Sequence, residues 1–206
     1  MRLGKNNQVD LSINYSSGSA QLQLTGFASL INDYISSEIR DDIPPKMPSA
    51  PGVRQYTNIK QAQLIGFEAV YLQKLTARLQ HRLSLAYTHG ENKDSNEPLA
   101  EIPPLDFRYV LSGRYFNNRL RPQLNLRHAW QQKRVALSYG ESSTPAFTLL
   151  DASINYQFNK FIESNLAIHN ILDKTYYEHL SRSVKGSSEA IYAPGRSFVF
   201  TLVVYL

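Results

Sequence analysis

Apolar and polar residues alternate along every strongly hydrophobic segment of this chain, and this two-residue period constrains the fold more than any other feature. Successive side chains of a β-strand point to opposite faces, so each segment predicts a strand with one apolar and one polar face. No window of helical length has a convincing 3.6-residue period. The sequence therefore predicts an all-β protein of about nine strands, in the segments 9–15, 20–35, 65–72, 78–89, 107–116, 122–130, 147–158, 162–171 and 196–206.

The connections between these segments alternate in length. Four are short, at 16–19, 73–78, 117–121 and 159–161, and between them lie long connections at 36–58, 90–105, 131–146 and 171–195. Antiparallel barrels of the bacterial outer membrane have short turns at one end and long loops at the other. The clear strands also reach the roughly 9–11 residues that a tilted membrane strand needs. The pattern predicts an antiparallel transmembrane up-and-down β-barrel.

Composition excludes several other classes. The 206 residues include no stretch of about 18 apolar residues, so a transmembrane helix is excluded, and no secretion signal is expected at Met1. The absence of cysteine excludes disulfides and thiolate chemistry. The net charge of +5 comes from Lys and Arg scattered along the chain, so nucleic-acid binding is not expected.

Two stretches near the C-terminus carry a resemblance to a known family. The stretch NILDKTYYEHLSR, followed by APGRSFVFTLVVYL, resembles the end of TonB-dependent outer-membrane receptors. Upstream, the Gly-x-Glu of LIGFEA, the segment AEIPPL and the strand LLDASINYQF are similar to the same family in the same order. The matching motif positions are Gly66, Glu68, Asn170, Asp173, Lys174, Tyr176, Gly195 and Arg196.

The resemblance implies a fold and a function for the intact protein. Members have a plug domain inside a barrel of about 22 strands, so we expect residues 1–206 to be the C-terminal part of such a barrel, without the plug and the N-terminal strands. The family imports a metal chelate such as a siderophore, a metal ion or a haem-like nutrient through the outer membrane of Gram-negative bacteria. It needs no resident cofactor, and energy comes from the TonB complex acting on the plug.

The closing strand has further implied partners. In the family the last strand completes the barrel and is read by the barrel assembly machinery, and its apolar register contacts outer-membrane lipid. Leu206 occupies a position where members usually have an aromatic residue. The polar register of the other strands supplies the residues that we expect to face the interior of the barrel: Arg82, Arg108, Arg114, Asn125, Arg127, Asp151, Asn155 and Glu163.

Histidines in the long connections are the candidate metal ligands. His179 follows Glu178 in the last long connection, where the His-Leu-Ser sequence resembles that of members handling copper or zinc. His89 is the second candidate, because its loop also offers Glu91, Asp94 and Glu97. Imidazole combined with carboxylate suits zinc or copper. The alternative for both histidines is an ordinary solvated loop residue, since the sequence contains no HxH or HxxxH pair.

Two other functional classes remain open at this stage. The first is an outer-membrane enzyme barrel, such as a lipase or a protease, although the sequence has no Gly-x-Ser-x-Gly and no metalloprotease motif. The second is a soluble β-sandwich binding module, which would use the same alternation. We expect a receptor rather than an enzyme.

Overall fold

The computed structural model of the chain is a single antiparallel β-sheet, described for residues 1–46, 52–181 and 189–206. Parts of two predicted long connections, residues 47–51 and 182–188, lie outside this description. The described residues contain no helix that could cross a membrane. The strands are β1 (Lys5–Ser17), β2 (Ala20–Arg40), β3 (Val53–Lys74), β4 (Leu79–Asn92), β5 (Glu97–Pro98), β6 (Asp106–Gly113), β7 (Leu120–Ala129), β8 (Phe147–Gln157), β9 (Ile162–His169) and β10 (Ser197–Val204).

Each long strand pairs with its neighbours in chain order, in the sequence β1-β2-β3-β4-β6-β7-β8-β9-β10. All nine predicted strands are present, and the all-β antiparallel prediction is confirmed. The one additional strand, β5, pairs only with β4. Its two residues are too few to show any periodicity. In the described residues the outer edges of β1 and β10 do not pair with each other, so the sheet is open.

Short and long connections alternate in the structure as predicted. The short turns join β1 to β2, β3 to β4, β6 to β7 and β8 to β9, and they all lie at one end of the sheet. The long connections therefore gather at the opposite end. We call these the turn end and the loop end. The β4–β6, β7–β8 and β9–β10 connections meet at the loop end, where the candidate site lies.

One predicted loop is much shorter than expected. The sequence predicts a loop over residues 36–58. In the structure β2 continues to Arg40 and β3 begins at Val53. Their pairing extends to the match of Arg40 with Val53. The 21 and 22 residues of these strands exceed the roughly 9–11 that cross a bilayer. The outer part of the hairpin therefore projects beyond the sheet at the loop end.

The two faces of the sheet differ in chemistry as the alternation predicts. On the apolar face, cross-strand pairing forms a continuous row through six strands: Leu22, Tyr71, Leu83, Tyr109, Leu126 and Leu150. On the polar face, Ser84 pairs with Arg108, which pairs with Arg127. Paired residues of antiparallel strands share a face, so each face keeps its character across the sheet.

The polar face forms hydrogen-bonded networks rather than a packed core. Near the turn end, Arg121 lies 2.8 Å from the Glu163 carboxylate, and Asn155 donates to the same oxygen at 2.6 Å. The buried apolar cluster is small and lies near the loop end, where Ala129, Phe147 and Leu149 are buried. No second sheet covers either face in the described residues, so the β-sandwich alternative is wrong.

Candidate loop-end site

Glu141 joins two of the long connections. It lies in the β7–β8 connection, and its Oε1 accepts a 2.6 Å hydrogen bond from the backbone N–H of Glu101, in the β4–β6 connection. Its Oε2 accepts from the backbone N–H of Ala136 at 3.0 Å. Bonds from two backbone N–H groups satisfy the carboxylate in a place where an unpaired charge would be costly. Glu141 therefore anchors the loop end.

His179 adds the β9–β10 connection to this assembly. Its side chain is only 3% exposed, and its Nδ1 lies 2.8 Å from the Thr144 hydroxyl. Its Nε2 is buried without a hydrogen-bond partner, although it lies 3.8 Å from Oε1 of Glu141. A buried imidazole nitrogen without a partner is unusual and costs stability. The nitrogen is available to a ligand that reaches it.

Burial lowers the pKa of His179 below its ordinary value, and the Glu141 carboxylate opposes this effect in part. The docked imidazole is therefore neutral at pH 7. The undocked imidazole binds a proton more readily, so docking is favoured above the ordinary histidine pKa of about 6.5 and is lost as the pH falls below it.

We expect the β9–β10 connection to become more accessible to protease between pH 7.5 and pH 5.5, because protonation favours its undocked form. The rate of cleavage after Lys174 measures this accessibility. His179→Gln should flatten the pH dependence, whereas His169→Gln should not, because that histidine is 53% exposed and lies elsewhere on the polar face. Identical pH profiles for wild type and His179→Gln would contradict the prediction.

Glu178 is occupied by an arginine of the sheet. Arg127 Nη1 and Nη2 donate to the two Glu178 carboxylate oxygens at 2.5 and 3.1 Å. The Arg127 Nε donates to Asp106 at 2.7 Å. This fork geometry is the strong form of a carboxylate–guanidinium pair. Glu178 thus holds its connection against the polar face, and the carboxylate nearest to His179 Nε2 is that of Glu141 rather than its sequence neighbour.

His89 occupies a different part of the structure. It lies within β4 rather than in a loop, and it pairs with Ile65 on the apolar face. Its Nε2 lies 3.4 Å from Glu91 and 3.2 Å from Arg134. No contact between His89 and His179 occurs in the described residues, and those residues contain no group of three or more His, Asp or Glu able to hold a metal ion. Metal ligation by His179, His89 and Glu178 stays a prediction.

The C-terminal motif residues form one local structure. The buried Asn170 accepts from the Lys174 N–H at 2.9 Å and donates to the Lys174 carbonyl at 2.9 Å. Its amide also lies 3.4 Å from the Pro194 carbonyl. Asp173 accepts from the Arg196 N–H at 2.9 Å, and a Cβ on Gly195 would come within 3.0 Å of that carboxylate. The motif therefore closes the two ends of the last long connection.

Tyr176 attaches this closed loop to the buried cluster. Its ring packs on Phe147 with the ring centroids 4.6 Å apart, and its carbonyl accepts from the Ala193 N–H at 2.9 Å. One side of the loop is thus bound to β8, and its two limbs are bound to each other. This arrangement presents Glu178 and His179 to the polar face.

The Gly-x-Glu motif lies in β3. Gly66 leaves room for the Phe27 ring on the polar face, since a Cβ at this position would lie 2.5 Å from that ring and 2.5 Å from the Tyr87 carbonyl. Glu68 lines an open cleft of about 570 Å³ against the sheet. The cleft is also lined by Ser84, Pro103, Asp106, Arg108, Arg127, Glu178 and His179.

We expect Gly66→Ala to destabilise the sheet by about 2–3 kcal/mol, because the added methyl overlaps a backbone carbonyl that cannot move freely. Gly26→Ala is the matched control, because its methyl would lie 3.9 Å from the nearest atom, the Gly66 carbonyl oxygen. Urea denaturation of the two variants in detergent measures the difference. Equal midpoints would show that Phe27 and the β4 backbone yield without cost.

Sequence reasoning identified His179 and Glu178 but missed Glu141 and Thr144. These two residues lie in GESST, a polar stretch with no periodicity and no motif. The proximity of a second histidine or carboxylate is the usual sequence signal for such a site, and Glu141 is far from His179 along the chain. Only the packing of the long connections brings them together.

The family profile described as "TonB dependent receptor-like, beta-barrel" matches residues 5–171. This chain belongs to that family. TonB-dependent receptors are outer-membrane β-barrel proteins of Gram-negative bacteria and interact with TonB. Outer-membrane barrels turn their apolar register outward and their polar register toward the interior, so we call the polar face the lumen side. Because the family consists of receptors and transporters, the prediction of a non-enzymatic protein is confirmed and the enzyme-barrel alternative is wrong.

One sequence relative and two solved structures are similar to this chain. A probable TonB-dependent receptor, BfrD of Bordetella pertussis, is 42% identical over 57 residues, which are 28% of this chain and 7% of the relative. The structure is similar to the copper transporter OprC, with a TM-score of 0.87 and 24% identity over 97% of this chain and 31% of that one. The structure is also similar to the ferric enterobactin receptor PfeA of Pseudomonas aeruginosa. The TM-score is 0.72 and the identity is 18%, over 98% of this chain and 31% of that one. The chain thus spans less than a third of the length of each of these three proteins, and the structural likenesses concern the fold.

Proposed function

We propose that residues 1–206 form the C-terminal wall of a TonB-dependent receptor whose barrel has about 22 strands. The plug domain and the N-terminal strands would come from outside this chain. Two observations support the proposal. The edges of β1 and β10 do not pair with each other in the described residues, and an open edge in lipid leaves backbone groups unsatisfied. The fraction of OprC that the chain covers, 31%, fits a partial barrel.

The proposed cargo is a metal ion, a metal chelate such as a siderophore, or a haem-like nutrient. The observation that carries this proposal is the docking of the β9–β10 connection against the lumen side, where the side chain of His179 is buried with an unpartnered Nε2 beside the cleft. Imidazole nitrogen is a ligand that copper and zinc prefer. The metal is cargo here, and no resident cofactor is proposed. Glu178 would be a secondary contact on the lumen side, and His89, which lies on the apolar face near the loop end, would meet the cargo only outside the barrel.

Three partners complete the proposal. The TonB complex would act through the plug, outer-membrane lipid would contact the apolar face, and the barrel assembly machinery would engage β10. Support for the last two comes from β10 itself, where Phe198 and Phe200 are 68% and 69% exposed on its apolar register. Such surface is stable next to lipid but not next to water.

Uptake by cells that express the intact receptor tests the cargo. Radioactive copper, zinc, a ferric siderophore and haem are supplied separately to the wild type, a deletion strain and a strain without TonB. We expect one cargo to depend on both the receptor and TonB. His179→Ala should lower its uptake about tenfold or more, whereas His169→Ala should not. Uptake of all four cargoes without the receptor would refute the proposal, and an unchanged rate with His179→Ala would remove the role of that residue.

A further inference from the structure

A basic cleft lies at the turn end of the sheet, far from the loop-end site in the topology. It has a volume of about 280 Å³ and lies between the β3–β4 and β6–β7 turns. Three of its lining side chains are cationic, and none is acidic; the lining residues are Lys74, Thr76, Ala77, Arg78, Leu79, Gln80 and Arg114. We call Lys74, Arg78 and Arg114 the basic triplet.

Backbone hydrogen bonds fix the cleft. The Arg114 N–H donates to the Arg78 carbonyl at 2.8 Å, which joins the two turns. Within the first turn, the Thr76 hydroxyl accepts from the N–H groups of Arg78 and Leu79 at 3.1 and 3.0 Å. The Leu75 N–H donates to the Leu79 carbonyl at 2.8 Å. These bonds hold the two turns together, so that the three cationic residues line one cleft.

No carboxylate neutralises the basic triplet within the part of the chain that the structure describes. Other arginines on the same face do have acidic partners, since Arg121 is paired with Glu163 and Arg127 with two acids. Bringing like charges together costs free energy that an arriving anion recovers. The unpaired triplet therefore indicates a partner outside the described residues.

The position of the cleft limits the side of the sheet from which a partner can reach it. Lys74 pairs with Gln80, and Gln80 pairs with Ser112, two residues before Arg114. This register is that of Ser84 and Arg108, on the lumen side. The apolar register lies on the opposite face of the sheet. The partner must therefore approach from inside the barrel or from beyond the turns.

We propose that the basic triplet binds the carboxylates of an acidic polypeptide segment lying against the lumen side at the turn end. Guanidinium groups bind carboxylates through paired N–H···O bonds, and the lysine adds a third charge that is less demanding in geometry. The cleft of about 280 Å³ has room for two neighbouring Asp or Glu side chains. This inference rests on the assignment of the polar face as the lumen side. It does not depend on which cargo the receptor imports.

Photo-crosslinking in the intact receptor tests the proposal. The photoreactive residue p-benzoylphenylalanine replaces Gln80, which lines the cleft, and irradiation in cells is followed by mass spectrometry of the adducts. We expect an adduct to a peptide with adjacent Asp or Glu residues. The double variant Arg78→Glu with Arg114→Glu should lower its yield about tenfold, because charge reversal repels the carboxylates.

Arg119→Glu is the matched control, because Arg119 is exposed at the same end but does not line the cleft. Its adduct yield should equal that of the wild type. The change in gel mobility on heating shows whether each variant is folded. A loss of crosslinks in a folded variant is then not due to unfolding. An adduct to lipid, an adduct to a peptide without acidic residues, or a yield unaffected by the double variant would each overturn the proposal. Cargo uptake by the same strains tests the proposed function separately.

Discussion

Asn170→Ala is expected to open the β9–β10 connection and to destabilise the folded wall by about 3–5 kcal/mol. The Asn170 side chain is buried and makes the bonds to Lys174 and Pro194 that close the connection. Alanine would leave both Lys174 backbone groups without these partners. Asn170 also has a φ of 51°, a left-handed conformation that asparagine adopts more readily than alanine.

Asn118→Ala separates the two contributions. Asn118 has a φ of 68° in the exposed β6–β7 turn, and its side chain makes no hydrogen bond in the described residues. Alanine there costs only the backbone strain, about 1–2 kcal/mol. Thermal unfolding followed by gel mobility gives both values. If the two variants lose the same stability, the closing bonds of Asn170 contribute nothing.

The strands could be predicted from the sequence because their two faces differ in chemistry, as the strands of outer-membrane barrels do. The row from Leu22 to Leu150 is apolar in every strand, and that regularity is visible as alternation. β2 and β3 are about twice as long as the roughly 9–11 residues that cross a bilayer, so their outer parts need no alternation. The stretch from Ser36 to Glu38 has none, although it pairs as regularly as the rest. The missed strand ends lie in these outer parts.

The site could be predicted only in part, because its contacts join residues that no periodic pattern relates. The family motif identified Asn170 and Asp173, and the structure supplies the physical reason, since both close one loop. The Arg127–Glu178 pair spans 51 residues of sequence. The sequence predicts that Arg127 faces the lumen and that Glu178 binds metal. A pairing between them depends on how the long connection folds back, which alternation does not determine.

Arg127→Ala is expected to release the segment of Glu178 and His179 from the sheet, with a loss of about 2–4 kcal/mol in its docking free energy. The Arg127 side chain is 25% exposed and serves both Glu178 and Asp106. Its guanidinium also lies 5.3 Å from the centre of the Phe147 ring, which adds a cation–π contact. Alanine removes these contacts together and leaves the Glu178 carboxylate unpaired, whereas Asp106 keeps its bond from Arg108.

Hydrogen exchange of residues 171–181 measures the docking free energy directly, because local opening exposes their amides. Arg108→Ala is the matched control. Arg108 neighbours Arg127 on the polar face, but it is 58% exposed and bonds only Asp106, so its loss should cost less than about 1 kcal/mol.

A double-mutant cycle with Glu178→Ala then isolates the contribution of the pair. We expect a coupling of about 1–3 kcal/mol between Arg127 and Glu178, because the two groups share two hydrogen bonds. Additive losses would mean that Arg127 acts through Asp106 and Phe147 alone, and that Glu178 is free to meet a metal. A measured coupling instead assigns Glu178 to holding the connection. Metal contact at this end of the receptor would then fall to His179, whose Nε2 has no other partner in the described residues.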